Sequence, residues 1–243
     1  MPADEDSPLP DAKKSRALLP LEDFTGSLSQ KVHGSLKQAI LSLSYRPGEL
    51  MQKPEICAEL GVSRSPVSEA MARLAAEGLV EIVPQAGTYV TRFSMAEIRE
   101  GAFLREALEL AAVELVATTI SNDQLLQLKR NLRVQEALMQ DGDTAGFHQM
   151  DAEMHELILS FTGYRRLTSL AETAWIHVNR ARHLNLPVPG RMQSTLAEHT
   201  AIISAIEARD PQAARAATKH HLAQLILSLE PLLIERPDLF TGG

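Results

Sequence analysis

One cysteine, Cys57, occurs in 243 residues. That excludes an internal disulfide framework and any cysteine-rich zinc module, and it suits a reducing compartment. Aromatic residues are also scarce, at 4%, while Ala and Leu are plentiful, a balance that favours helices over a β sandwich. Long hydrophobic runs are missing. No stretch of about 18 residues is free of charge, so a membrane span would have to bury a charged side chain. The first 26 residues, mixed in charge with three prolines before residue 11, lack the basic start and apolar run of a signal peptide. A surplus of positive charge is absent too: 24 Lys and Arg stand against 31 Asp and Glu, a net −7. Sequence-independent nucleic-acid binding depends on many cations meeting phosphates, so any DNA contact has to come from a local patch. These absences predict a soluble cytoplasmic protein with no membrane partner.

The charge is unevenly spread. Residues 27–94 carry seven Lys or Arg against six Glu, and residues 95–243 carry 14 against 19. The local pattern changes near Ser94 as well, from short helical runs with a β-like ending to long amphipathic segments. The expected organisation is a disordered tail at 1–26, one domain at 27–93, a second at 94–236 and a short tail at 237–243.

From Ser27 to Leu43 the apolar residues Leu28, Val32, Leu36, Ile40 and Leu43 recur at the spacing of one buried helix face. Pro47-Gly48 ends that helix. Pro54 suits a first helical position, opening a short helix with Ile56, Cys57 and Leu60 inward, closed by Gly61. Ser65 is the expected N-cap of a third helix with Val67, Ala70, Met71 and Leu74 inward and Gly78 at its end. Leu79–Val83 and Thr88–Arg92, joined by Pro84-Gln85-Ala86-Gly87, read as a β hairpin. Three helices and a hairpin predict a winged helix-turn-helix, whose second turn helix enters the major groove. Its start and outer face hold Ser63, Arg64, Ser65, Ser68 and Arg73. Arg64 is the leading candidate, because a guanidinium at the helix start can grip guanine in bidentate fashion or clamp a phosphate.

The stretch LGVSRSPVSEAMARLAAEGLVE at 60–81, preceded by PGEL at 47–50 and followed by Gly87 and Val90, resembles the DNA-binding domain of GntR-family bacterial transcription regulators. The resemblance spans about 65 residues and implies DNA contact at Arg64, with Gly87 in the wing. Three positions depart from the usual pattern: Lys53 where a Glu is usual, Ser68 where an Arg is usual, and Ala86 at a wing position often basic.

In the second region Ser94 and Glu97 have capping-box spacing, opening a helix through about Ile120 with Leu104, Leu108, Ala111 and Leu115 expected inside. Further helix starts fall at Ser121, Asp143, Gly163, Arg191 and Asp210-Pro211. Gly142, Gly163 and Pro187-Val188-Pro189-Gly190 mark joints, and Pro237 ends the last helix. Six to seven helices without a strand pattern predict an antiparallel bundle, and so a mostly α chain overall.

Asp151 and His155 are four residues apart and share a helix face, with His199 and His221 on later helices. His221 shares a face with Ala214, Ala217 and Leu225, and so is read as inward in preference to His220. Three neutral imidazoles and one carboxylate suit a divalent transition metal, zinc first, with nickel, manganese or iron as alternatives, and leave room for water or a ligand oxygen. Phe103 to Glu109 (FLREALE), then Asp151 with His155, then Glu198-His199 and a histidine 22 residues on, resemble the effector domain of the FadR subfamily. That resemblance implies a metal held by Asp151, His155, His199 and His221. It also implies a small organic acid beside the metal, its carboxylate meeting an arginine at the position of Arg105. Trp175, Asn179 and Arg180, with His177 and Arg182, follow on one helix and are expected along the same cavity.

The expected function is a homodimeric repressor that reads an inverted-repeat operator and answers to a small acid. Two rivals remain at this level. A metal-dependent hydrolase or lyase would need a general base and an open coordination position, for which Glu153, Glu156 or Glu198 would have to serve. A structural DNA-bridging protein is disfavoured by the acidity of the chain.

Overall fold

The computed structural model describes residues 18–167, 170, 175–185 and 188–241. The fold is mostly α, with one two-stranded hairpin, and the backbone separates into two units. The first runs up to Met95 and resumes at Glu235; the second is Ala96–Ile234.

In the first unit, α1 (Leu28–Leu41) opens with a capping box between Ser27 and Gln30, which satisfies two amides the helix itself cannot. Val32, Leu36 and Ile40 are buried as their spacing requires, whereas Leu28 is exposed. α2 (Lys53–Leu60) has Pro54 in its first turn and stops at left-handed Gly61. Ile56 is its buried residue; Cys57 and Leu60 are only half-buried, because a two-turn helix packs through one narrow side. α3 (Arg64–Ala76) buries Pro66, Val67, Ala70, Met71 and Leu74 and packs on α1 and α2. Its start corrects the expected N-cap: Ser63, not Ser65, is the flanking residue, and Arg64 is already helical. Pro66 still fits, since first-turn amides have no intrahelical acceptor.

β1 (Val80–Val83) and β2 (Gly87–Val90) pair antiparallel, Val80 opposite Val90 and Val83 opposite Gly87, each one residue shorter than expected, with β2 starting one residue earlier. Residues 48–51 run along the other side of β2: the Gly48 amide donates to Val90, the Val90 amide to Glu49 and the Met51 amide to Thr88. Gly87 has φ 136°, a conformation that demands glycine.

Both expected tails need correction where they are described. The Leu18 amide donates to Glu59 at 2.7 Å, Ser35 Oγ donates to the Leu19 carbonyl at 2.8 Å, and Leu21–Asp23 is a 3₁₀ turn. Residues 1–17 lie outside the described residues. At the other end Pro237–Leu239 is a second 3₁₀ turn, and Leu239 and Phe240 are buried. Apolar residues at both ends find partners that a local pattern does not reveal.

The second unit contains α4 (Met95–Thr119), α5 (Asn122–Asp141), α6 (Thr144–Phe161), α7 (Ile176–Asn185), α8 (Arg191–Glu207) and α9 (Pro211–Glu235, its last residue in the first unit). Starts at Ser121, Asp143, Arg191 and Pro211 agree with the sequence signals. Ser121 and Gln124 form a capping box, Asp143 caps the Gly146 amide, and Asp210 accepts from the amides of Gln212 and Ala213. The joint at Pro187 lies outside the described residues. The inner face of α4 is the main correction. Leu104 and Ala111 are exposed and Leu108 and Leu115 half-buried, whereas Ile98, Gly101, Arg105, Glu109, Val113 and Val116 face inward. An apolar stripe normally marks the core side; here a charged pair occupies it, because the interior holds a polar site.

Candidate metal centre and nucleic-acid interface

On α3, Ser63, Arg64, Ser65, Ser68 and Arg73 are all exposed, opposite the buried Val67–Met71–Leu74 stripe. Among the described residues they make an exposed start and outer face of the helix, led by Arg64. Ser65 Oγ donates to Glu69 at 3.4 Å. Gly87 is half-buried beside the turn of the wing, opposite Val83, where its contribution is conformational.

The second unit brings Asp151, His155, His199 and His221 together. One ligand atom from each lies within 4.8 Å of the others, and all four residues are buried. Asp151 and His155 come from successive turns of α6, His199 from α8 and His221 from α9. Asp151 Oδ1 is 3.3 Å from both His155 Nε2 and His199 Nε2, and His155 Nε2 is 3.2 Å from His221 Nε2.

The surrounding acceptors determine what those nitrogens can do. His155 Nδ1 is 2.7 Å from Glu109 Oε2 and His221 Nδ1 is 2.7 Å from Glu198 Oε2. Both carboxylates only accept, so each Nδ1 carries the proton. For His199 the direction follows from a chain of amides. Asn131 Nδ2 donates to the Met150 carbonyl, Gln135 Nε2 donates to Asn131 Oδ1, and Gln135 Oε1 is thereby left to accept from His199 Nδ1 at 2.7 Å. All three Nε2 lone pairs are left facing the centre, and Asp151 Oδ1 and His199 Nε2 are buried without a hydrogen-bond partner. Orphaned acceptors in a dry interior are costly, and second-shell carboxylates that fix imidazole tautomers are typical of metal ligands. The donor set fits a cation.

Electrostatics reinforce this. Burial alone would raise the Asp151 carboxyl, but the Arg182 guanidinium holds it well below the usual range. Glu109 is likewise brought down to about 2 against the effect of burial, by Arg105 and His155. Burial, aided by the neighbouring imidazoles, pushes His199 down and His221 well down. The two imidazoles are neutral and the carboxylates are charged, the states a metal requires.

Beside this cluster lies a cavity of about 20 Å³ lined by Arg105, Arg182, Asn185, Arg191 and Thr195 as well as Asp151 and His221. Each arginine has an acidic partner. Arg105 Nε donates to Glu109 at 2.6 Å, Arg182 pairs with Asp151, and Arg191 grips Glu198 through two bonds of 2.9 Å. Trp175 is buried with the Arg105 guanidinium 5.4 Å from its ring centre. Asn179 Oδ1 is 3.5 Å from Arg182 Nη1. Arg180, expected on the cavity, does not line it; it is fully buried, and Glu97 is the charge that favours its cationic form against burial. Two residues, about 200° around a helix, separate the two directions, and α7 places Arg182 rather than Arg180 beside Asp151. Sequence reasoning also missed Gln135 and Arg191. Glu109 was visible only as part of a motif, and Glu198 as part of a motif and as a candidate general base, not as the acceptor of His221.

The profile described as bacterial regulatory proteins, gntR family, matches residues 28–90, and that of the FCD domain matches residues 100–224. The HTH-type transcriptional repressor RspR of Escherichia coli K12 is 30% identical over 217 residues, covering 89% of this chain and 95% of its own. The chain belongs to the GntR family. Its fold is shared with solved GntR-type structures: Escherichia coli McbR/YncC aligns with a TM-score of 0.74 at 21% identity over 85% of this chain and 99% of the other. A putative GntR regulator from Rhodococcus sp. RHA1 aligns with 0.71 at 25% identity over 84% and 99%. This GntR-family protein is therefore a DNA-binding transcription regulator with an FCD-type helical domain, and the family places it among regulators rather than enzymes. Among the described residues no helix is long and apolar enough to cross a membrane.

Proposed function

We propose that this GntR-family regulator is a cytoplasmic, homodimeric repressor of the FadR subfamily. In this reading Asp151, His155, His199 and His221 hold a divalent transition metal, zinc first, and a small organic acid binds beside it to control operator affinity. The observation that carries the reading is the convergence of three tautomer-fixed Nε2 atoms and an orphaned carboxylate oxygen beside a cavity walled by arginines. A bound metal would supply a Lewis-acidic anchor for a carboxylate. The chain's own charges around the cavity cancel, Arg105, Arg182 and Arg191 against Glu109, Asp151 and Glu198, so a divalent ion leaves a positive excess that an anion neutralises. The cavity has room for about one water, so an acid of several atoms requires its walls to give way. Such a ligand favours one arrangement of the protein over another, and coupling of about 1–3 kcal/mol changes operator affinity roughly 5- to 150-fold. The name of RspR supports the repressor assignment. Exposed apolar side chains on α4, Phe103 and Leu104, together with the twofold logic of an inverted repeat, support the dimer.

Trp175 against Arg105 is the reporter. Titrating carboxylates into zinc-loaded protein is expected to change its emission and, for the same acid, the operator-binding curve. Arg64→Ala is expected to weaken operator binding by about 1–3 kcal/mol with unchanged metal content. An operator curve insensitive to Arg64→Ala and to every acid tried sinks the reading.

A further inference from the structure

The last residues of the chain form a strap on the DNA-reading unit. α9 carries His221 and ends at Glu235, where the backbone passes from the second unit into the first. From there Arg236–Thr241 lies against the segment that follows β2. The Phe93 amide donates to the Leu239 carbonyl at 2.9 Å, the Thr241 amide donates to the Phe93 carbonyl at 2.8 Å, and Phe93 and Phe240 form a parallel bridge. Their rings pack with centres 5.8 Å apart, and Phe93, Leu239 and Phe240 are each at most 5% exposed. Arg92 Nε donates to the Asp238 carbonyl at 3.0 Å. The same guanidinium lies 3.0 Å from where a Gly48 Cβ would stand, so Arg92 links the strap to the turn that leads into the strand beside β2.

Phe93 is two residues before α4, the helix that supplies Arg105 and Glu109. Phe240 is five residues after α9, the helix that supplies His221. The chain therefore crosses between its two units at two points, 95–96 and 234–235, and both crossings are anchored on the same Phe93–Phe240 clamp, which continues directly into the wing strand. We propose that the strap Arg236–Thr241 is the element through which the state of the helical unit sets the operator affinity of the winged unit. A shift of α9 on filling the His221 site pulls on the clamp, and the strap is hydrogen-bonded to Arg92 and Phe93, two and three residues past β2. A linker tied down at one end only would lose such a shift in its own freedom; a packed clamp has discrete arrangements and passes it on.

This proposal rests on the metal reading above, and the experiment separates the two. Operator affinity is measured for the full-length wild type, for Phe240→Ser and for a chain ending at Arg236, each with saturating Zn²⁺ and with a chelator. Metal affinity and helix content are measured in parallel. The wild type is expected to change operator affinity by about fivefold or more on metal loading, and both strap variants by less than about twofold while binding Zn²⁺ as tightly as the wild type. Phe240→Leu, which keeps an apolar plug, restores the response. Equal responses in all proteins overturn the strap and leave the metal reading intact. If no protein binds Zn²⁺, the metal reading falls and operator affinity alone judges the strap: a change of about fivefold in both variants supports it, and wild-type affinity overturns it; if Zn²⁺ binds and the wild type does not respond, the strap is overturned and the metal reading stands.

Discussion

His199 illustrates how much a single side chain depends on residues remote in sequence. Its Nε2 is available at the centre only because Gln135, 64 positions earlier, accepts from Nδ1, and Gln135 is turned that way by Asn131 and the Met150 carbonyl. Glu109 does the same for His155 across 46 positions, and its charge is held by Arg105. Removing such an orienting group leaves the ligand in place but frees its tautomer and ring. Glu109→Gln and Gln135→Leu are each expected to lower zinc affinity about 10- to 100-fold, measured by competition with a chromophoric chelator. A variant that kept wild-type affinity would remove these two residues from the centre.

At the scale of elements, α6 and α7 meet through His148 and His183, whose rings stack with centres 3.6 Å apart. Burial, together with Arg182, depresses both, His148 to about 2 and His183 to about 4. The folded protein therefore holds the pair neutral, whereas the unfolded chain takes up protons below about pH 6.5. The unfolded state binds more protons as pH falls, so the stack's contribution is present above that pH and is lost progressively towards pH 4. Melting of the metal-free protein is expected to weaken over this interval, and His148→Gln to flatten the slope. An unchanged slope would mean that other groups carry the acid sensitivity. α4 teaches a related lesson: its apolar residues Phe103 and Leu104 are outside and its Arg105–Glu109 pair inside, the reverse of what an amphipathic stripe implies.

At the scale of the whole molecule, the two units have separate cores, and the candidate ligands all lie in one of them. Metal that binds only the folded bundle stabilises it by mass action, about 4 kcal/mol at a thousandfold excess over the dissociation constant. Calorimetry is expected to resolve two transitions, of which chelation lowers the one belonging to the bundle while the winged unit melts as before. If chelation moved both transitions equally, the units would be melting as one. Charge is partitioned in the same way: the winged region is near neutral, while the acidic excess lies in the helical region.

The sequence by itself determined the winged helix-turn-helix and most helix starts of the bundle, because caps, glycine stops and hairpin turns are written within a few residues of each other; i, i+4 spacing paired Asp151 with His155, and only the family resemblance joined His199 and His221 to them. It did not determine which face of α4 turns inward, that Arg182 rather than Arg180 meets Asp151, or that Glu109, Gln135, Glu198 and Arg191 complete the site. Those pairings join residues on different helices or depend on how a helix is rotated, and local periodicity carries neither kind of information. The chain's end is the clearest case. Pro237 marked a helix stop and the residues after it read as a tail, yet Phe240 is buried against Phe93, 147 positions away. Only the folded chain brings those two rings together, since the gain from burying them exists nowhere in the segment alone.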